Sequence, residues 1–262
     1  MRNSLSAGLI AAALLISTAL AQTTTPANKE ILSNGGVFHS LLAAPVIGQP
    51  YSATQVHRDK RQLADGTNIT HNGHHFIARD AAGRVRVEMR MAETADGETI
   101  LVFVSDPEAH TITTWVTGPK ANKLASVVKI PTEKYGAAKP APAKVAQDTR
   151  PQPIITTEDL GTDTLQGLPV SVVKTTTIVP AGRSGNDAPI TKTLEVWTSP
   201  DLKLVMKEQW EDPRSGERTI SLEKFSRAEP DPALFSPPTG YTVKDLKQSL
   251  QELEEKLNAT QN

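Results

Sequence analysis

The sequence has 262 residues, of which 38% are hydrophobic, 22% charged and 4% aromatic. This composition is typical of a soluble globular chain and not of a membrane bundle, a fibre or a disordered tail. The net charge of −1 provides no basic field for nucleic acid or anionic lipid, so neither is expected as a partner. The absence of cysteine excludes a disulfide framework, a thiolate nucleophile, a zinc–thiolate site and an iron–sulfur cluster.

Residues 1–21 have the pattern of a secretory signal peptide. Arg2 precedes an apolar run over residues 7–16, and Ala19-Leu20-Ala21 has the form that signal peptidase accepts. We expect a mature chain that begins at Gln22 and a periplasmic location, with secretion as the alternative; a retained membrane anchor is the competing interpretation. No later apolar run reaches the length of a membrane span, so no transmembrane segment is expected in the mature chain.

Residues 22–50 form an N-terminal segment for which short helices are predicted. Apolar residues recur between Asn28 and Ala43, but Gly35-Gly36 interrupts them and divides the segment into two short pieces.

Turn sequences recur along the rest of the chain between short runs of alternating apolar and polar residues, which is typical of an antiparallel sheet. These turns are Asp65-Gly66, Asp80 to Gly83, Asp96-Gly97, Asp106-Pro107, Ser199 to Asp201 and Asp212 to Gly216. Six turns require at least seven strands. We therefore predict a mainly β fold with a single curved antiparallel sheet over residues 51–242.

The clearest predicted strand covers residues 84–91. Val85, Val87, Met89 and Met91 alternate with charged residues, which predicts one buried and one solvated face. Residues 100–104 are apolar at every position, so this strand is expected to lie centrally or to be covered on both faces.

Two segments flank or interrupt the sheet. Residues 136–153 are rich in Pro and Ala and predict an exposed loop that joins two halves of the sheet, with a domain linker as the alternative. Residues 243–258 carry leucines at spacings of three and four and follow a capping pattern at Thr242 and Asp245, which predicts a C-terminal helix. Three arrangements of this helix are open: it packs on the sheet of its own chain, it forms a short dimerising coiled coil, or it is a frayed tail.

Three histidines surround Asn72-Gly73. If this dipeptide forms a hairpin turn, His71 and His74 face each other and become weak candidates for a metal site. If residues 67–79 form one long strand, which the lengths of the neighbouring runs favour, His74 and His75 point to opposite faces and no chelate forms.

Hydrolase and nucleotide-binding motifs are absent from the sequence. Gly182-Arg183-Ser184-Gly185 lacks the spacing of a nucleophile elbow, and neither a phosphate-binding loop nor a His-Glu-x-x-His motif occurs. We assign no catalytic residue, expect no cofactor and do not predict an enzyme.

Several motifs between about Tyr51 and Tyr241 resemble a group of uncharacterised exported bacterial proteins. The motifs are Leu63 to Gly66, Arg79-Asp80 with Gly83-Arg84, Ser105 to Pro107, Gly167 to Val170, Ile178 to Gly182, Trp197 to Leu202, Glu229 to Phe235 and Pro238 to Tyr241. More distantly, the pattern is similar to the half-barrel superfamily of LolA-like lipoprotein carriers and the N-terminal half of the sigma-factor regulator RseB. The resemblance implies an open half β-barrel whose concave face is covered by helices and binds lipid or acyl chains, without catalytic residues.

These observations give two hypotheses for function. The first is a periplasmic protein that binds or carries a hydrophobic ligand on a sheet face of aliphatic side chains. The residues predicted to line that face are Val85, Val87, Met89, Met91, Ile112 and Val116. The second is an envelope interaction, structural or sensor protein whose sheet face is filled by its own helices and whose partner is another envelope protein.

Overall fold

The structure is a computed structural model that describes residues 41, 43–119, 121–131 and 149–248. The predicted signal peptide lies outside these residues. So do most of Asn28–Ala43, most of the Pro- and Ala-rich segment at 136–153, and the predicted C-terminal helix beyond residue 248.

Twelve strands form one sheet in the described part of the chain, in the order β12-β6-β5-β4-β3-β2-β1-β11-β10-β9-β8-β7. The strands are β1 (Tyr51–Gln62), β2 (Asn68–Arg79), β3 (Val85–Thr94), β4 (Gly97–Asp106), β5 (Thr111–Thr117), β6 (Leu124–Lys129), β7 (Ile154–Leu165), β8 (Leu168–Val179), β9 (Ile190–Ser199), β10 (Leu204–Asp212), β11 (Gly216–Ser226) and β12 (Thr242–Asp245). A short 3₁₀ helix covers Pro232–Phe235. The prediction of a mainly β chain with one curved, open sheet is confirmed.

The six predicted turns all lie next to strand ends, as predicted. The turn at Gly216 shows why its residue type matters. Its φ is +91°, and a Cβ atom there would lie 2.2 Å from the backbone oxygen of Lys60. Both the left-handed conformation and the close approach of β1 require glycine.

The described residues divide into two compact units. Of the described residues, unit 1 contains 41, 43–52, 76–119, 121–131 and 227–248, and unit 2 contains 53–75 and 149–226. Unit 1 therefore holds β3 to β6 and β12, and unit 2 holds β7 to β11.

In unit 1, β4 is buried on both faces. Leu101 and Phe103 point to one face and Val102 and Val104 to the other, and all four are at most 5% exposed. This confirms the prediction for residues 100–104, since a strand that is apolar at successive positions requires cover on both sides.

The C-terminal helix was predicted to begin at Val243, and this boundary is wrong. Val243 lies in β12. This strand pairs in parallel with β6, whereas antiparallel pairing was predicted. Helical residues begin at Leu246. The carboxylate of Asp245 accepts hydrogen bonds from the backbone N–H groups of Lys247 and Gln248 at 2.9 and 3.3 Å. Asp245, not Thr242, is therefore the N-cap, because backbone pairing with β6 holds residues 242–245 extended.

In unit 2, buried apolar residues are distributed over several strands and the β9–β10 turn. They are Ala53, Val170, Val172, Val179, Trp197, Leu202, Met206, Ile220 and Leu222. Lys207 covers Trp197, with its Nζ atom 4.1 Å from the ring centroid, which is within the range of a cation–π contact. By contrast, every residue of β7 except Leu165 is exposed.

Candidate functional site

The predicted ligand-binding residues are brought together by the pairing of β3, β4 and β5 in unit 1. Directly paired residues of antiparallel strands lie on the same face. The register forms three rows, which are Val85–Ser105–Ile112, Val87–Phe103–Thr114 and Met89–Leu101–Val116. We call these nine residues the β3–β5 face. Five of the six predicted residues belong to it.

Met91 is the exception. The register of β3 against β4 shifts between Arg90 and Ala92, so Met91 lies in a β-bulge. A bulge breaks the two-residue alternation on which the sequence argument relied. Met91 is 58% exposed, whereas the prediction placed it on a buried face.

Burial differs between the rows of the β3–β5 face, and the middle row of Val87, Phe103 and Thr114 is the most buried, whereas Val85 in the first row is half-buried. Val87, Phe103 and Ile112 are at most 2% exposed, so their side chains lie within a core. Met89 and Val116, in the third row, are half-buried. Solvent therefore reaches this face at the row of Met89 and not at the row of Val87.

The opposite face of the same strands is solvated only in part, whereas the sequence predicted a solvated face for β3: Arg90 is exposed, but Arg86 is not. Arg86 is only 8% exposed, and its guanidinium lies 5.3 Å from the ring centroid of Trp115 and 2.6 Å from a carboxylate oxygen of Glu88. Arg86 also donates a hydrogen bond to the backbone oxygen of Leu234 in the 3₁₀ helix. The side chains of β3 alternate between the two faces of the sheet as predicted. Its charged face, however, is covered at Arg86 by the segment around Leu234, about 150 positions further along the chain.

This opposite face carries an aromatic core cluster. The buried members are Ala78, Val102, Val104, Trp115, Ala125 and Phe235. Tyr241 packs against them and donates a hydrogen bond of 2.7 Å to the backbone oxygen of Val116. The segment between β11 and β12 thus covers this face of unit 1.

A buried cation lies at the end of the first row of the β3–β5 face. Arg79 pairs with Val85, donates a hydrogen bond of 2.9 Å to the backbone oxygen of Gln49, and stacks 5.0 Å from the ring centroid of Tyr51. Burial raises the pKa of Tyr51 to about 12 and lowers the pKa of Arg79. Both groups keep their ordinary protonation at neutral pH, so this contact is a fixed structural element.

The two predicted histidine candidates for a metal site are not brought together. β2 is continuous through Asn72 and Gly73, so the long-strand interpretation is confirmed and the hairpin that would have paired His71 with His74 does not form. Both side chains are exposed. Among the described residues, no group of three or more His, Cys, Asp and Glu has the geometry to hold a metal ion.

A different histidine pair lies in unit 2. The rings of His57 and His75 form an edge-to-face contact with centroids 5.1 Å apart. Burial, and then the charge of His75, lower the pKa of His57 to about 4. His57 is therefore neutral at physiological pH. The sequence analysis missed this pair, because the two residues are adjacent only through strand pairing.

Glu208 is a second titratable group in unit 2 that the sequence analysis missed. It is half-buried on β10, where it pairs with Ile220 of β11 and Val196 of β9. Desolvation between these apolar neighbours raises the pKa of Glu208 to about 7. Its carboxyl group therefore titrates near neutral pH on an apolar surface.

No protein-family model and no curated protein sequence matches this chain. Several solved structures are similar to it. A structure titled an uncharacterized conserved protein from Thermus thermophilus has a TM-score of 0.39 and 12% identity, and the match covers 84% of this chain and 99% of that one.

Two further solved structures are similar to this chain. A LolA superfamily protein from Nitrosomonas europaea has a TM-score of 0.27 and 10% identity, with 75% of this chain and 93% of that chain covered. A structure of the MucA/MucB complex of Pseudomonas aeruginosa has a TM-score of 0.37 and 14% identity, with 75% and 58% covered. The solved structures similar to this chain thus include a LolA superfamily protein, in line with the distant resemblance that the motifs predicted.

Within the residues that the structure describes, no helix is both long and apolar enough to cross a membrane.

Proposed function

We propose that this protein is a non-enzymatic protein of the bacterial envelope that binds a hydrophobic ligand, a lipid or an acyl chain, at the solvent-accessible end of the β3–β5 face. The difference in burial between the rows carries the proposal. The row of Met89, Leu101 and Val116 adjoins the buried row of Val87, Phe103 and Thr114, so a ligand that covers Met89 extends an existing core. The unbranched side chain of Met89 adapts to ligands of different shape.

The chemistry of the face selects a neutral, apolar ligand segment. Its three rows contain no charged side chain, and its only polar side chains, Ser105 and Thr114, are at most 4% exposed. Burial of apolar area contributes about 25 cal/mol per Å², whereas a charged group placed here would lose hydration without a partner.

The envelope location of the proposal is supported by the signal-peptide pattern of residues 1–21. A mature chain that begins at Gln22 in the periplasmic fraction is the expected result of N-terminal sequencing. A chain that keeps Met1 in the membrane fraction would contradict it.

The binding proposal is tested with the uncharged dye N-phenylnaphthylamine and the variant Met89→Asp. Because Met89 is half-buried, a carboxylate there keeps part of its hydration and the fold survives, but an apolar ligand no longer fits. We expect wild-type protein to bind the dye and Met89→Asp to bind it at least tenfold more weakly. The matched control is Val243→Asp, since Val243 is 54% exposed on β12 and outside the face.

Met89→Gln separates loss of binding from loss of fold. It removes apolar character without adding charge, and we expect weaker dye binding with unchanged cooperative unfolding. A folded wild-type protein that does not bind the dye would contradict the proposal.

A second candidate function is that of an envelope interaction or sensor protein without a small-molecule ligand. The near-complete burial of Val87 and Ile112 favours it, because these predicted ligand contacts already belong to a core. Native mass spectrometry of protein purified from the periplasm distinguishes the candidates, since a co-purifying lipid is expected for the carrier alone.

A further inference from the structure

β7 is an edge strand that is exposed along nearly its whole length. It spans Ile154–Leu165 and pairs with β8, which is its single neighbour among the strands of the described residues. An edge strand presents backbone N–H and C=O groups on its outer side that water or another strand must satisfy. This edge is twelve residues long, whereas natural edge strands are often kept short.

The first half of β7 lacks the usual protection against strand addition. Residues 154–157 are Ile, Ile, Thr and Thr, all β-branched and uncharged. Ile154 is 59% exposed and Ile155 is 66% exposed. Because neighbouring residues of a strand point to opposite faces, an added strand would meet one isoleucine on each face of the sheet.

The protective features of β7 lie in its second half. The register against β8 shifts between Asp159 and Gly161, and Gly161 has a φ of +87°, so a bulge ends the regular pairing. Before the bulge, Ile154 to Asp159 pair with β8 without interruption. A flat template of six residues is therefore available, from Ile154 to Asp159.

Charge distinguishes between the possible occupants of this edge. β7 carries Glu158, Asp159 and Asp163 and contains neither Lys nor Arg. Lys174 lies opposite Glu158 on β8, but its Nζ atom is 2.8 Å from the carboxylate of Glu195. Parallel pairing of this stretch with a second copy in register would place Glu158 and Asp159 beside the same residues of the copy, and like charges on paired strands are destabilising. Antiparallel pairing would place these carboxylates opposite Ile155 and Ile154 of the copy, where no basic side chain partners them. A strand with basic residues is complementary.

We propose that the edge of β7 binds an extended segment of a partner protein, which adds as a strand along Ile154–Asp159. The segment carries aliphatic or β-branched residues opposite the isoleucines and Lys or Arg beside Glu158 and Asp159. Main-chain hydrogen bonds supply affinity in this mode of recognition, and alternate side chains supply specificity. This interaction surface belongs to unit 2 and is independent of the β3–β5 face.

The test uses a fluorescein-labelled peptide Lys-Lys-Thr-Val-Thr-Val and the full mature protein. An antiparallel strand would place the two lysines of this peptide beside Glu158 and Asp159. The control peptide Glu-Glu-Thr-Val-Thr-Val has the same strand-forming residues and the opposite charge. In fluorescence anisotropy at low salt, we expect the basic peptide to bind at least tenfold more tightly than the acidic one.

Two protein variants locate the binding. Ile155→Lys places a charge in the apolar half of the template, on a side chain that is already exposed, so the fold persists and affinity falls at least tenfold. Glu158→Lys is expected to weaken the basic peptide and strengthen the acidic one. Val243→Lys, at an exposed position of another edge strand, is the matched control and leaves peptide affinity unchanged.

Three outcomes would overturn the proposal. They are equal affinity for the two peptides, no binding of either up to millimolar concentration, and wild-type affinity in Ile155→Lys. A dimer in sedimentation equilibrium that Ile155→Lys dissociates would assign the edge to a second copy instead. Dye binding at Met89 is expected to be unchanged in Ile155→Lys, so the two proposals fail separately.

Discussion

Glu208 provides a quantitative prediction about the dependence of stability on pH. Its pKa in the folded chain is about 7, against an ordinary value of 4.5, because burial between Ile220 and Val196 disfavours the charged form. The folded state therefore holds this proton more tightly than the unfolded state does. The contribution to stability is complete below pH 4.5 and is lost as the pH rises through 7.

The size of the effect follows from the two pKa values. A difference from 4.5 to about 7 corresponds to about 3 kcal/mol at 1.36 kcal/mol per pH unit. Since solvent reaches part of the side chain, screening reduces this to roughly 1–3 kcal/mol. The substitution Glu208→Gln removes the charge and keeps the size of the side chain. We expect the variant to be more stable than wild type by this amount at pH 8 and equally stable at pH 4.

Urea unfolding followed by tryptophan fluorescence measures this difference, with pH as the variable. Glu211→Gln is the matched control, because Glu211 lies on the same strand and is exposed. Its stability difference is expected to be below about 0.5 kcal/mol at both pH values. A Glu208→Gln variant that is less stable than wild type at pH 8 would refute the reasoning, since it would show that the ionised carboxylate has a stabilising partner.

Three further predictions follow from the same structure. Because burial and the charge of His75 lower the pKa of His57 from 6.5 to about 4, the contribution of His57 to stability should be lost as the pH drops from 6.5 towards 4. In the same urea titration, the stability difference between His57→Gln and wild type should therefore shift in favour of the variant over this range. Val87→Asp should destabilise unit 1 by several kcal/mol, because Val87 is 1% exposed. Met91→Asp should change Tm by little, because Met91 is 58% exposed. Equal effects of the two substitutions would contradict the difference in burial between these positions. Gly216→Ala should lower Tm markedly, because its Cβ would overlap the backbone of Lys60. Gly167 also has a positive φ but has open space around it. Gly167→Ala should therefore reduce the free energy of unfolding only by the conformational strain, about 1 kcal/mol.

Local patterns predicted those parts of the fold that depend on local chemistry. Turn residues such as Asp65-Gly66 and Asp96-Gly97 set backbone conformation within a few positions, and alternation fixed which residues of β3 share a face from Val85 to Met89. The predictions were wrong where residues distant in the chain determine burial or backbone conformation. Arg86 is buried because Trp115 and Leu234 cover it, and Val243 is extended because β6 pairs with it.

The same distinction between local and distant residues applies to the candidate site. Strand alternation was sufficient to group Val85, Val87 and Met89. Ile112 and Val116 were also predicted for this face, and the strand register shows which residues they lie beside. Nothing in the sequence could indicate that Val87 is buried while Met89 is half-buried, since both occupy equivalent positions of one alternating run. Glu208 and His57 were missed for a related reason. A titratable residue in an alternating strand has no distinctive local pattern, and its pKa depends on neighbours supplied by other strands.

The two end strands of the sheet meet the edge problem differently, and this difference bears on the interaction proposal. At one end, the edge of β6 is paired in parallel with β12, a four-residue strand that the chain supplies from its own C-terminal part, and a backbone hydrogen bond from Thr242 to Lys123 fixes its start. Such a short edge strand leaves little template for further pairing.

At the other end, β7 presents a regular stretch from Ile154 to Asp159 that no described strand pairs on its outer side. An unprotected edge with exposed isoleucines favours self-association. The acidic residues that follow oppose association with a second copy while favouring a basic strand, so the composition of β7 supports a hetero-association and not self-association.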